Sequence, residues 1–378
     1  MKIEQFVMER TQCLHENEVE LNLSESGVKP LTIAELLPTA EEKAALENAP
    51  LSYPHSSGRE ELRHNIAAFH GLTDFNCVTV TNGGSEANFT TLWGLIEPEQ
   101  RVAFMIPNYL QGFGLGAAWA EKVDTFQLVM EPCDGGFEWK LDLESLEKAI
   151  TKDTGVIVVT NPNNPTGYVL SEVEMDAVIA AAERVGAWLV SDEIYRGAEV
   201  SGAMTPTFVG RYDKVIVTGG LSKAFGLPGL RTGWIVAAPE LIQHLCQYHD
   251  YMTLTPSLIS DHLANVVMRE ERREQIIERT RSIIRNNLPP VERWIESRAD
   301  ILDYCAPMAG AICTVRYKLP IESTALFEKI LHEHSVLITP GAHFGIGDYM
   351  RIGFGYNLDS TLKGLERIDK AFAAFKKN

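Results

Sequence analysis

Short apolar, β-branched runs recur along the first two thirds of the chain, at Val78–Thr81, Val102–Ile106, Gly155–Thr160, Ala187–Ser191, Lys214–Thr218 and Trp234–Ala237. Runs of this length and composition predict buried strands. Between several of them lie stretches such as Leu143–Ile150 and Glu172–Arg184, where apolar residues return at helical spacing. Strand–helix alternation predicts an α/β fold, with crossover units building a mostly parallel sheet flanked by helices. A long helical stretch is predicted from about Leu258 to Asn287, with the charged run Arg269–Glu274 as a solvated face. Beyond Pro289-Pro290 the pattern changes to strand (Ile312–Tyr317), helix (Ser323–Glu333), strand (Met350–Gly355) and a last helix capped near Asp359-Ser360. The reading is a large α/β domain over 46–288 and a smaller α+β domain over 289–378. An N-terminal arm, 1–45, completes the smaller one.

Composition narrows this picture. The chain has 378 residues, 45% of them hydrophobic, which exceeds what one comfortable core holds. A net charge of −17 supplies no basic footprint for nucleic acid or an anionic membrane surface. The six cysteines are scattered without a CxxC pair and read as reduced thiols. The first residues run into Glu9 and Arg10 with no apolar leader, and no apolar run approaches the roughly 18 residues of a membrane span. A cytoplasmic protein is expected.

Chemistry gathers at predicted strand ends, the edge where open α/β sheets bind ligands. The glycine-rich segment Gly219–Trp234 contains Ser222, Lys223 and, eight residues on, Arg231. Taken alone, Lys223 could be a surface charge. Ala187–Ser191 ends in Asp192-Glu193-Ile194-Tyr195, an acid beside a phenol. Gly155–Thr160 ends in Asn161-Pro162-Asn163-Asn164-Pro165, a rigid non-helical turn. Val78–Thr81 leads into Asn82-Gly83-Gly84-Ser85, where free amides at a helix start make an anion site. Amide, acid, phenol and lysine beside an anion cradle, gathered at four strand ends, point to one ligand site.

In these motifs, in their order and spacing, the chain resembles fold-type I enzymes of pyridoxal 5′-phosphate (PLP), the aspartate aminotransferase superfamily, from Tyr53 to the final helix. That cofactor needs an amine to hold it, an acid for its nitrogen, and amides or cations for its phosphate. The resemblance implies that Lys223 carries the cofactor as a Schiff base and that Asp192 keeps the pyridine nitrogen protonated. It implies that Tyr195 and Asn164 bond the ring's phenolic oxygen and that Tyr109 stacks on the ring. Ser222, Arg231 and the Gly83, Gly84 and Ser85 amides are the expected phosphate site, and Arg351, with Asn164, the clamp for the substrate carboxylate. Tyr53 is expected to reach the phosphate of a neighbouring subunit, which implies a homodimer. The implied substrates are an amino acid and a 2-oxo acid.

Some positions depart from the family. Gly220 stands where a hydroxyl is frequent, and no second arginine is evident for a dicarboxylate substrate. Asn22–Val28, with Leu221–Arg231, Asp250–Leu254 and Ile338–Gly341, is similar to the capreomycidine synthase branch of the fold. That branch implies the alternative of a lyase or cyclase acting on a β-hydroxylated basic amino acid. Glu25 reads equally as a solvated loop charge or a contact to a cationic substrate, and His55 and His343 as pocket-lining or as hydrogen-bonded structural histidines. Gly112–Ala117 fits a loose dinucleotide-loop pattern but follows no strand directly. His332 and His334, two apart on a helix, point to different faces and bind no common metal.

Overall fold

A computed structural model describes residues 3–375; the outermost two residues of the N-terminal arm and three of the C-terminal unit lie outside it. The main sheet has eight strands in the spatial order Val78–Thr81, Gly233–Val236, Val215–Gly220, Trp188–Asp192, Thr154–Thr160, Arg101–Ile106, Lys122–Cys133, Gly136–Leu141. The five strands from Val215–Gly220 to Lys122–Cys133 run parallel; pairings at both flanks are antiparallel. Every position of Thr154–Thr160 is buried, because helices cover both faces. A strand buried on two sides must be apolar throughout, which is why it was legible as a continuous run.

The Lys122–Cys133 and Gly136–Leu141 hairpin was not expected. Its strands alternate half-exposed polar with buried apolar positions, so neither makes an unbroken run. The turn signal was present in Asp134-Gly135-Gly136, where both glycines adopt positive φ.

The long helical stretch is two helices, Leu258–Met268 and Glu270–Glu296, separated by an extended Arg269. The second runs through Pro289 and Pro290, so the helix does not end at Asn287, and position 288/289 falls inside it. A proline inside a helix costs about 3 kcal/mol. Here Leu288, Val291, Trp294 and Ile295 bury one face around the prolines and offset that cost.

The smaller sheet orders Leu302–Tyr304, Ile312–Tyr317, Tyr349–Gly353 and Thr339–Pro340, all antiparallel. Leu21–Asn22 of the N-terminal arm pairs in parallel with Val336–Leu337, joining the arm to the C-terminal elements. The final helix, Leu358–Ala373, is capped by Asn357, whose side chain accepts from the Ser360 amide, two positions earlier than expected from sequence. Among the described residues no helix is long and apolar enough to cross a membrane. All six cysteines are free.

Candidate active site

Register across the main sheet aligns three polar strand ends: Thr160 pairs with Asp192, and Asp192 with Thr218. Two further strands meet at Gly233, which pairs with Gly220 on one side and Thr81 on the other. Lys223 therefore emerges three residues past a sheet edge, beside the turn that opens the helix Gly84–Leu95. Above this edge lies a cavity of about 720 Å³. Gly84, Ser85, Tyr109, Asn164, Asp192, Tyr195, Ser222, Lys223, Arg231 and Arg351 all line it.

The helix Gly84–Leu95 has no side-chain cap, so its first amides are left for another acceptor. Gly83 precedes them at φ 103, and an added Cβ there would meet Arg231 Nη2 at 2.6 Å. Only glycine lets the guanidinium sit against the start of the helix. Arg231 itself has positive φ, and its Nη1 donates to the Pro228 carbonyl at 3.2 Å.

Asp192 faces the cavity floor. Its carboxylate accepts from Asn88 Nδ2 at 2.8 Å and from the Ile194 amide at 3.0 Å. Burial pushes its proton affinity up; the bond from Asn88, the Ile194 amide and the charge of Lys223 oppose the shift. No cation pairs with it within 4.0 Å among the described residues. Thr218 Oγ1 donates to Asn88 Oδ1 at 2.6 Å and so fixes which way the amide points. Asn88 was not anticipated. The available signal was an amide four residues past Gly84, on the helix face shared with the anion cradle.

Arg351 is 1% exposed. Its strand lies between Thr314 and Thr339, and Thr339 Oγ1 accepts from Nη2 at 3.1 Å. Nη1 donates to Asn164 Oδ1 at 2.8 Å, and Nη2 also donates to the Ser24 carbonyl. Tyr109 donates to Glu9 Oε1 at 2.8 Å; burial, then Glu9, raises the phenol's pKa. Glu9 sits on the N-terminal helix Val7–His15, whose role in the cavity was not expected either.

His55 and His343 do not line the cavity. His55 Nδ1 accepts from the Ser57 amide, and His343 is buried beside Phe327, with burial lowering its pKa to about 4. Tyr53 is 82% exposed and lies on a separate surface groove with Asn82, Thr253 and Ile259, outside the cavity of its own chain.

The residues fit PLP. Tyr195 is 2% exposed and its hydroxyl has no partner, and Arg351 Nε is buried and equally unpaired. A buried phenol without a hydrogen bond is costly unless a ligand supplies one. Asp192, desolvated and without a cation, suits a protonated ring nitrogen, and the Gly83–Ser85 turn with Arg231 suits a phosphate.

An α/β sheet with an amine, a buried acid and an anion cradle at its edge defines a cofactor-dependent enzyme of amino acids. The model of the family Aminotransferase class I and II matches residues 19–368, and the chain belongs to that family. It is similar to capreomycidine synthase of Streptomyces vinaceus, 29% identical over 361 residues, covering 93% of this chain and 90% of that protein. It is likewise similar to an aspartate aminotransferase of Streptomyces avermitilis, 27% identical over 347 residues, with 86% and 82% covered. Among solved structures, a PLP-dependent aminotransferase from Streptococcus suis superposes with a TM-score of 0.91 at 30% identity, covering 100% of both chains. The PLP-dependent cyclase OrfR superposes with a TM-score of 0.87 at 25% identity, covering 99% and 98%. Amino-group transfer with PLP is the activity this membership carries.

Proposed function

We propose that the enzyme moves an amino group between an amino acid and a 2-oxo acid, using Lys223 both to hold PLP and to move the substrate's α-proton. The reading rests most directly on the unpartnered Tyr195 hydroxyl and Arg351 Nε, which share one cavity with Lys223 and Asp192. Bound PLP supplies an electron sink for the pair left at the α-carbon. Asp192, oriented by Asn88, holds the proton on the ring nitrogen. Tyr195 and Asn164 hydrogen-bond the ring oxygen, and Tyr109 covers the ring face. Ser222, Arg231 and the Gly83, Gly84 and Ser85 amides hold the phosphate. Arg351 takes the substrate carboxylate, with Asn164 setting the plane of its fork. Lys223 Nζ, which lines the same cavity, would carry the proton from the substrate α-carbon.

The proposal includes a homodimer, with the exposed Tyr53 reaching the phosphate in its partner's site. The six free thiols agree with a cytoplasmic setting. Similarity to capreomycidine synthase and to OrfR supports a second reading, elimination or ring closure on a β-substituted basic amino acid. A single-turnover experiment separates the two. In transamination the holoenzyme with an amino acid alone stops after one equivalent, and only a 2-oxo acid restores its spectrum. Continuous consumption of a β-hydroxylated basic amino acid with no oxo acid present establishes the second reading instead.

A further inference from the structure

The mouth of the cavity carries an unbalanced set of charges. Glu9, Gln12, Cys13 and Glu16 line it from the N-terminal helix and its C-cap, and positions spaced by three, four and seven share one helix face. Glu25 lines it from the adjoining loop, half-buried. None of the three carboxylates pairs with a cation within 4.0 Å among the described residues; the one hydrogen bond they accept is from Tyr109 to Glu9. The cations lining the cavity are Lys223, Arg231 and Arg351, each already given a task in holding the cofactor or the α-carboxylate.

The acids do not sit at one point. The fields of Glu25 and Glu9 both reach Arg351, while those of Glu25 and Glu16 reach Tyr356. Glu25 is the member common to both, and Glu9 and Glu16, seven residues apart, are separated by roughly 10 Å of helix. The buried and unpartnered Tyr195 hydroxyl and Arg351 Nε in the same cavity mark independently where a ligand belongs.

We infer that the amino-acid substrate carries a cationic side chain, a guanidinium or an amine, whose charge Glu25 receives, with Glu16 contributing field from the cavity mouth. An acidic side chain meets three carboxylates and no free cation, so glutamate and aspartate are poor donors. This rests on the aminotransferase reading above, since it assigns the α-carboxylate to Arg351.

The test compares L-arginine with its neutral isostere L-citrulline, and L-lysine with L-norleucine, on the holoenzyme. The first half-reaction is followed by absorbance, and binding by calorimetry. Arginine or lysine is expected to exceed its neutral partner about tenfold in kcat/KM, and Glu25→Gln to collapse that ratio by about the same factor. Glu16→Gln lowers the ratio less. Equal rates for a cationic substrate and its isostere, or a ratio unmoved by Glu25→Gln, overturn the inference while leaving amino transfer intact. If none of the four reacts, calorimetry decides. Tighter binding of arginine than citrulline, lost in Glu25→Gln, still supports the inference, and equal binding overturns it.

Discussion

At Asp192, burial and hydrogen bonding act in opposite directions. Desolvation favours the protonated acid, while Asn88, the Ile194 amide and Lys223 favour the carboxylate. A cationic ring nitrogen tips the balance to the carboxylate, so Asp192→Ala is expected to keep some cofactor, held by untouched phosphate contacts. Turnover should fall by about two orders of magnitude. Cofactor content and kcat measured together check this. A second residue-scale expectation concerns His70, buried with its Nε2 accepting from Trp234 Nε1 at 3.2 Å. Burial, and then Arg196, lowers its pKa from 6.5 to about 3. A base whose folded pKa is depressed stabilises fully above its unfolded value and loses that contribution as pH falls. Stability should therefore decline below pH 6.5, by up to ~1.4 kcal/mol per pH unit from this group. His70→Gln should flatten the fall in Tm between about pH 7 and pH 5. The residues with family motifs were legible because they stand at strand ends in fixed order. Asn88, Glu9 and Glu16 were not. Asn88 is marked only by its spacing from Gly84, and Glu9 and Glu16 line the cavity from one helix and its C-cap with nothing in their local sequence to distinguish them from surface polar residues.

Elements differ in how much they reveal. Strands buried on both faces wrote themselves as apolar runs, whereas the edge hairpin over residues 122–141 alternates and was passed over. The prolines at 289 and 290 read as a helix end because local propensity says so, and tertiary burial of the neighbouring apolar face overrides it. The approach of the N-terminal arm to the smaller sheet was legible only in outline, since close backbone contact leaves no trace except glycine. At Gly353, whose amide donates to the Leu23 carbonyl at 2.7 Å, an added Cβ would lie 1.8 Å from the Glu25 carbonyl oxygen. Gly353→Ala should push the 23–25 backbone off the strand that carries Arg351 and destabilise the fold by about 1–3 kcal/mol. Gly347→Ala, with nothing within 4 Å of the new methyl, is the control that should leave Tm unchanged.

On the scale of the whole molecule, the −17 charge and the cationic groups of the cavity are compatible because the positive groups are local, gathered around one site. The two parts of the chain meet at the site: the large sheet contributes Lys223 and Asp192, the smaller one Arg351. If Tyr53 completes a partner's site, a heterodimer of Tyr53→Phe with Lys223→Ala holds one repaired site and one doubly damaged site. Activity should return on mixing the two inactive or weakened chains, and a fully active monomer on dilution contradicts this. The central claim, that the chemistry is held on Lys223, has the most direct test of all. The holoenzyme is reduced with borohydride, digested, and its peptides are mapped by mass spectrometry. The predicted result is a pyridoxyl adduct on Lys223 and loss of the cofactor's visible absorbance; an adduct on another lysine, or on none, contradicts the account.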